Sequence, residues 1–456
     1  MEKFKIVLPE YINKALAFLK NKYPSCEAYI VGGSVRDSLL KRTVHDFDIT
    51  TNLTPTEVMS CFSENHIVNN NGLKHGTVSV VIDHEVVEIT TYRNDGTYSD
   101  GRHPNEVSFV STLKEDLKRR DFTINAMAYN SDEGLIDYNE GINDLENKII
   151  RTVGNPYQRF EEDYLRILRA LRFSSTLSFE IENKTKEAIH NEKEGLTKIS
   201  YERIRKELEG ILTGPNVFYI LKEFSDVLEV IIPELKMCTH FMQNNKYHKH
   251  QNLYEHMINV VSLTKPDFIL RLAALIHDIG KPDCYSEEII DGVINGHFYK
   301  HPYVSAKYAK VIGERLKLSS NELTELIFLV EYHDAYLFAQ KKIVKRMLAK
   351  TPNQDVKIFL KLVNLRWADA TDHQNLDPEF IPKPDELKAL VDTIIKENEA
   401  LRLSDLMVNG NDLMALGYKG KILGIILNDL LEHVIDESLL NQKDELLSYV
   451  KSNYEL

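Results

Sequence analysis

Two hydrophobic periods divide this chain. The first third carries short apolar runs of strand character: Ala28 to Val31 stops at Gly32-Gly33, His45 to Thr51 alternates, and Val86 to Arg93 is strand-like. Ahead of them, the segment MEKFKIVLPEYINKAL reads as a strand-like start followed by an amphipathic helix. The segment from Asp95 to His103 is polar, Gly-rich and without apolar period, so a mobile loop is expected there. From about residue 150 the pattern becomes helical. Phe160, Leu165, Leu168, Leu171 and Phe173 recur at a helical period and predict one helix with an apolar face. Asp163 and Arg166, three apart, would be neighbours on its surface. The segment ISYERIRKELEGILTGPN sets Glu202, Arg203, Arg205 and Glu207 around an apolar stripe and stops at Gly214-Pro215. No internal repeat or low-complexity tract interrupts the pattern.

Chemistry first enters between residues 32 and 48. Glycines at the end of a strand let the backbone approach a bulky anion and turn its N–H groups toward it. Arg36 adds a guanidinium fork suited to phosphate oxygens. Alternation puts Asp46 and Asp48 on one face of the next strand and Phe47 on the other, against the core. Two adjacent carboxylates repel unless a hard cation lies between them, and Mg²⁺ binds one or two carboxylates together with substrate phosphates. Either half alone is weak, since most Gly-Gly pairs are turns and most D-x-D pairs are solvated strand ends. Their order and spacing together describe nucleotidyl transfer.

This signature resembles that of the nucleotidyltransferase superfamily, specifically the class II tRNA nucleotidyltransferase and bacterial poly(A) polymerase family. The resemblance implies that Glu88 supplies the third carboxylate of the site. It also matches the RRDFTxNA segment at Arg119 to Ala126, whose second arginine, Arg120 here, would contact the nucleotide. Gly141, Asp144, Leu145 and Arg151 match the GxxDLxxxxIR segment that joins head to neck, and Glu202 to Leu208 match ERIRxEL. Asp163 and Arg166 match the family's EDxxR motif, an amino-acid template for the incoming base. Its chemistry is derivable: cytosine and adenine each present an amino donor beside an unprotonated ring nitrogen, whereas uracil and guanine present a carbonyl beside a ring N–H. A carboxylate that accepts and an arginine that donates would bind C and A and reject U and G. Arg169 and Arg172 would reach the triphosphate.

Composition constrains the reading further. A chain of 456 residues suggests about three domains. There is no signal-peptide pattern and no run approaching the roughly 20 apolar residues of a membrane span. The cysteines Cys26, Cys61, Cys238 and Cys284 are scattered without CxxC pairing, so a reducing, cytoplasmic setting is expected. The net charge of −13 argues against a general nucleic-acid binder. Yet nine arginines between Arg119 and Arg205 would concentrate positive charge in one cleft.

A second constellation begins near residue 248. His256 lies in YEHMINVV, His277-Asp278 end the apolar LRLAALI run, and His297, His301, His333 and Asp369 follow. A polar pair at the end of a buried helix needs compensation, which a metal provides. The set resembles the HD phosphohydrolase superfamily. By that resemblance His256, His277, Asp278 and Asp369 form the basic metal set, and His301 and His333 hold a second ion or phosphate. His297 competes with His301 for that place. A degenerate HD fold, kept for packing and RNA contact, would carry the same residues. Imidazole with carboxylate suits Mn, Ni or Fe better than Mg²⁺. Further on, NGNDLMALG and ILGIILNDLLEHVI resemble the family's tail, with Lys419-Gly420-Lys421 as a small basic turn.

The fold expected is α+β: a nucleotidyltransferase-type mixed α/β head over residues 1–150, a helical neck with the template helix over 151–235, an HD-type helical body over 236–390 and a tRNA-binding helical tail over 391–456. The function expected is CCA addition to tRNA 3′ ends by two-metal nucleotidyl transfer. Mg²⁺ is the cofactor, CTP and ATP are the substrates, the tRNA acceptor arm is the partner, and no membrane is involved. The 95–103 loop is present in full, unlike in CC-adding relatives, which leaves CCA addition, A-only addition or poly(A) synthesis, and these share every motif quoted. An HD-type phosphohydrolase with a nucleotide-binding head is the alternative of a different class. Oligomeric state is open.

Overall fold

The computed structural model describes residues 5–44, 46–62, 68–69, 76–95, 107–109, 112–245, 252–290, 293–374 and 376–455. Residues 96–103 of the expected loop lie outside that set. The chain forms two compact units, divided between Asn216 and Val217.

The first unit opens with α1 (Glu10–Lys22), which buries Ile12, Ala15 and Leu19 at helical spacing, while Lys5 to Pro9 form no strand. Then come β1 (Ala28–Val31), α2 (Gly33–Leu39), β2 (Asp48–Thr51), α3 (Pro55–Ser60), β3 (Val68–Asn69), β4 (Thr77–Ile82) and β5 (Glu85–Thr91). A separate ribbon pairs β6 (Arg93–Asp95) with β7 (Val107–Phe109) and leads to α4 (Leu113–Lys118). β8 (Met127–Asn130) and β9 (Gly134–Asp137) complete a seven-stranded sheet of order β3-β4-β5-β2-β1-β8-β9. All its pairings are antiparallel except β2 with β5. Tyr29, Val31 and Ala128 project from one face into a cluster with Leu113 and Leu117 of α4, while Ile30 and Ile49 are buried on alternate positions.

The neck follows as α5 (Gly141–Glu146), β10 (Ile149–Ile150), α6 (Pro156–Glu162), α7 (Leu165–Leu177), β11 (Glu180–Ile181), α8 (Asn183–Glu192) and α9 (Tyr201–Thr213). α9 ends before Gly214-Pro215, as the sequence requires. Gly141 is forced by packing, because a Cβ there would lie 2.4 Å from the carbonyl oxygen of Thr123.

The expected single helix across Asp163 is corrected. α6 ends at Glu162, Asp163 is extended (φ −151°, ψ 102°), and α7 starts anew at Leu165. An Asp carboxylate caps a new helix better than it continues an old one. Here Asp163 Oδ1 accepts the N–H of Leu165 at 3.1 Å.

Among the described residues, the second unit is helical apart from one hairpin. Its elements are α10 (Val217–Glu223), α11 (Ser225–Ile231), α12 (Lys236–Thr239), α13 (Leu253–Leu263), α14 (Phe268–Ile276), the hairpin of β12 (Ser286–Ile290) with β13 (Val293–His297), α15 (His301–Arg315), α16 (Ser320–Glu331), α17 (Lys341–Lys350) and α18 (Val356–Asp372). α19 (Pro384–Lys396), α20 (Gly410–Ala415), α21 (Ile422–Ile435) and α22 (Lys443–Asn453) follow. Every residue of α14 is buried, so the element forms the centre of this unit. Among the described residues no helix is long and apolar enough to cross a membrane. The mixed head and helical remainder match the expected fold class.

Candidate active site and a second ligand cluster

The head site is built where β1, β2 and β5 run side by side. Val31 pairs with Asp48, and Asp48 pairs in parallel register with Glu88. Asp46 and Asp48 are exposed and Phe47 is buried, so the alternation expected of HDFD holds, although the strand itself starts only at Asp48. Partial desolvation and the nearby carboxylates of Glu88 and Asp46 raise the Asp48 pKa, against the opposing pull of Arg120. Three carboxylates thus gather at and just before the paired central strands β2 and β5.

Gly32 turns the chain at φ +73°, a conformation L side chains rarely adopt, and a Cβ there would lie 3.2 Å from Arg120 Nη1. The Arg120 guanidinium therefore lies against the Gly32-Gly33 turn and within electrostatic reach of Asp48. It is aimed by Asp116, a fully buried residue that sequence reasoning missed. Asp116 bonds Arg119 at 2.8 Å, lies 3.4 Å from Arg120 Nη2 and accepts from Thr50 of β2 at 3.1 Å. Burial opposes its ionisation, but Arg120 and Arg119 outweigh it and lower its pKa.

Arg36 is itself buried. It donates to Asp37 at 2.9 and 2.8 Å and to Asn125 at 2.7 Å. Its guanidinium also faces the Phe173 ring at 5.0 Å, which Arg169 and Arg172 approach at 5.4 and 4.2 Å. Phe173, read from sequence as an apolar position only, is the common aromatic partner of Arg36, Arg169 and Arg172. Arg169 is fixed by Asp121 at 2.8 and 2.6 Å, and Arg172 by Glu207 at 2.5 Å.

Asp163 and Arg166 do not pair with each other. Asp163 Oδ2 accepts from Arg203 at 2.9 Å, and Arg166 meets Glu162 and the Arg159 carbonyl. Arg169, Arg172 and Arg203 line a cleft of about 710 Å³ between α7 and α9. Arg151 holds buried Asp144 at 3.1 Å, a structural tie rather than a site contact.

The second cluster lies in the helical unit. His256 comes from α13, His277 and Asp278 follow α14, His301 starts α15, His333 follows α16, and Asp369 lies on α18. All six meet. His256 Nε2 lies 3.4 Å from Asp278 and 3.2 Å from Asp369, and His277 Nε2 lies 3.2 Å from Asp278. On the other side, His301 and His333 Nε2 lie 3.1 and 3.3 Å from Asp278 Oδ1. The outer nitrogens are held by backbone: Nδ1 of His277, His301 and His333 bond the carbonyls of Ala274, Phe298 and Val330 at 2.8, 2.8 and 2.7 Å. That arrangement orients each Nε2 inward, as metal-ligating imidazoles are oriented.

His297 is not part of the cluster; it lies 3.5 Å from Glu288 and stacks on Tyr299. Sequence reasoning missed His373, 3.5 Å from Asp369, and Asp372, which bonds His256 Nδ1 at 2.8 Å. Both follow Asp369 closely in the TDH segment, which was the available signal. Burial disfavours a charged His256, yet Asp278, Asp369 and Asp372 hold its proton up to about 10, so the carboxylates demand positive charge among them. Buried Asp278 sits at the centre of these imidazoles and is paired with Lys281 Nζ at 2.6 Å. Three overlapping ligand triads, His256/Asp369/His373, His256/His277/Asp278 and Asp278/His301/His333, therefore fit a divalent ion.

Comparison with known proteins bears on both units. Residues 28–151 match the poly A polymerase head domain, 178–238 the probable RNA and SrmB-binding site of polymerase A, and 311–450 tRNA nucleotidyltransferase domain 2. These three matches leave residues 1–27, 152–177, 239–310 and 451–456 outside. The CCA-adding enzyme of Lactobacillus helveticus is 48% identical over 220 residues, 48% of this chain and 54% of that protein. That of Enterococcus faecalis is 52% identical over 190 residues, 42% of this chain and 46% of the relative. The matched stretch thus spans about half the length of these curated relatives. Among solved structures, the Bacillus stearothermophilus CCA-adding enzyme in complex with CTP has a TM-score of 0.72 at 25% identity, over 98% of both chains. The Thermotoga maritima CCA-adding enzyme complexed with tRNA(CCA) has a TM-score of 0.60 at 22% identity, over 99% of this chain and 97% of that one, a likeness of fold. Taken with the head geometry, these matches show a poly A polymerase head domain over residues 28–151, a tRNA nucleotidyltransferase domain 2 over 311–450, and a fold shared with CCA-adding enzymes over nearly the whole chain.

Proposed function

We propose that this chain is a cytoplasmic, template-independent tRNA nucleotidyltransferase that adds CMP, CMP and AMP, from CTP and ATP, to tRNA 3′ ends. The observation that carries it is the grouping of Asp46, Asp48 and Glu88 at the paired central strands β2 and β5, beside Arg120 and the Gly32 turn. The curated relatives named CCA-adding enzymes favour this reading over the A-adding and poly(A)-synthesising ones. Residues 1–150 would be the catalytic head, 151–235 the neck with the template, 236–390 the HD-type body and 391–456 the tRNA-binding tail.

An all-oxygen set of adjacent carboxylates fits Mg²⁺, and Asp46, Asp48 and Glu88 would hold it. Bound there, Mg²⁺ lowers the pKa of the attacking 3′-hydroxyl and neutralises charge on the triphosphate. The chain's own groups do the rest. The Gly32-Gly33 backbone and Arg120 receive the phosphates, Arg169 and Arg172 extend that positive wall, and Asp163 with Arg166 reads the base edge. Because the template pair is held by Arg203 and Glu162, base choice comes from the protein. For Asp48→Ala or Asp46→Ala the expected outcome is loss of nucleotide addition with tRNA binding nearly intact, read by labelled-nucleotide incorporation and by gel shift. Full addition in either variant would contradict the assignment.

The imidazole–carboxylate cluster favours a second, additional reading: an HD-type site that binds Mn, Ni or Fe and hydrolyses a small phosphoester. Five imidazoles gathered around the buried carboxylates of Asp278 and Asp369 support this reading over a degenerate scaffold.

A further inference from the structure

One continuous segment grips the α6–α7 break at two points. The 3₁₀ turn Lys193–Lys198 follows α8 and leads, through Ile199 and Ser200, into α9. Gly195 of that turn lies against the ring of Tyr164: a Cβ added there would fall inside the van der Waals envelope of Cγ, Cδ1 and Cε1. Cγ is placed by χ1, so the ring cannot clear such a methyl by turning about its own axis. The whole side chain of Tyr164, or its backbone, would have to move. From the same turn, Lys198 Nζ lies 4.9 Å from the centroid of that ring. Five residues further on, Arg203 of α9 donates to Asp163 Oδ2 at 2.9 Å. Tyr164 stands between the extended Asp163 and the first residue of α7. The carbonyls of Asp163 and Tyr164 accept the N–H groups of Arg166 and Ile167 at 2.9 and 3.0 Å. The ring contact and the carboxylate contact therefore fix neighbouring residues of one break.

We infer that Gly195 and Tyr164 are positioning residues for base choice: the ring seated on the glycine holds the α6–α7 break in the geometry that presents the Asp163 carboxylate, which Arg203 aims. This rests on the reading of Asp163 and Arg166 as the base template. A hydrogen-bonding pair discriminates only while its atoms stay in register with the base edge. A small displacement carried in from a residue outside the site is enough to relax it. Arg169 and Arg172, which face the phosphates in the same reading, are held separately by Asp121 and Glu207. A disturbance at Gly195 therefore acts on base choice and leaves triphosphate binding in place.

The test is steady-state kinetics of the full-length protein with Mg²⁺ and a tRNA transcript lacking its last three nucleotides, comparing kcat/KM for CTP with that for UTP. Gly195→Ala should lower the CTP-to-UTP ratio about 10-fold, as for one weakened base-edge bond. Affinity for inorganic tripolyphosphate, which has no base, should stay unchanged in calorimetric titration. Tyr164→Phe should keep the ratio, and Tyr164→Ala, which removes the seated ring, should lower it. Adding Gly195→Ala to Tyr164→Ala should cost nothing more, because the new methyl then meets the space the ring has left. Should Gly195→Ala fail to fold, Tyr164→Ala against Tyr164→Phe carries the test. An unchanged ratio in Tyr164→Ala, losses that add in the double variant, or a tripolyphosphate affinity that falls in step with the ratio overturns the positioning role. Asp163→Ala is measured in parallel: if it too leaves the ratio unchanged, the template reading beneath falls instead.

Discussion

Asp121 ties the head to the neck through a single buried carboxylate. Its Oδ2 takes both Nε and Nη2 of Arg169, and its Oδ1 accepts the Phe122 N–H at 2.8 Å. Burial alone would raise its pKa, but the Arg169 guanidinium and its hydrogen bonds prevail and bring it to about 2. The unfolded carboxyl binds a proton at higher pH than the folded one. The contribution is therefore complete above about pH 4 and is lost as pH falls toward 2. It is worth about 2 kcal/mol. In urea unfolding at pH 5.5 and pH 3, Asp121→Asn should be the less stable protein at the higher pH and should lose less on acidification than the unaltered chain. Identical slopes would remove Asp121 from that role. At this scale the carboxylates and arginines of the head were legible, because Asp46, Asp48 and Arg120 sit in a fixed local pattern. Asp116 and Phe173 were not, because each acts on partners distant in sequence: Asp116 on Thr50, and Phe173 on Arg36.

Among the elements, the break between α6 and α7 sets the position of Asp163, half of the proposed base-reading pair. The apolar period from Phe160 to Phe173 runs through the break, so periodicity alone predicted one helix where two meet. The cap chemistry of Asp163 was the readable clue. Since Asp163 is extended, its carboxylate divides its two oxygens between the α7 cap and Arg203 on α9. Removing it should loosen both the reading of the base and the α7 start. Asp163→Ala and Arg166→Ala are expected to lose discrimination against UTP and GTP while binding CTP and ATP more weakly, by about 1–3 kcal/mol per lost base-edge bond. Relative incorporation rates of the four nucleotides measure this, and unchanged ratios would refute the template role. The strands β1, β2 and β5 and the stop after α9 needed no tertiary information, since glycine, proline and alternation mark them locally.

For the molecule as a whole, the two units carry two different donor sets, carboxylates alone in the head and imidazoles with carboxylates in the body. His277→Ala with Asp278→Ala, or the milder His301→Gln, should remove bound transition metal in elemental analysis and leave nucleotide addition in place. Loss of addition in the milder variant would contradict two separate sites. The His-Asp pair was visible in sequence because it ends an apolar run, whereas the second-unit partners Asp372 and His373 needed α18 to be placed beside α13.

The most direct measurement is incorporation on a tRNA transcript that lacks its last three nucleotides, incubated with Mg²⁺ and each labelled nucleotide singly and in pairs. CTP alone should extend it by two residues, CTP with ATP by three and then stop, and UTP and GTP by none, with every product absent for Asp48→Ala. A long tail from ATP alone, or addition of A only to transcripts already ending in CC, would contradict CCA addition by this chain.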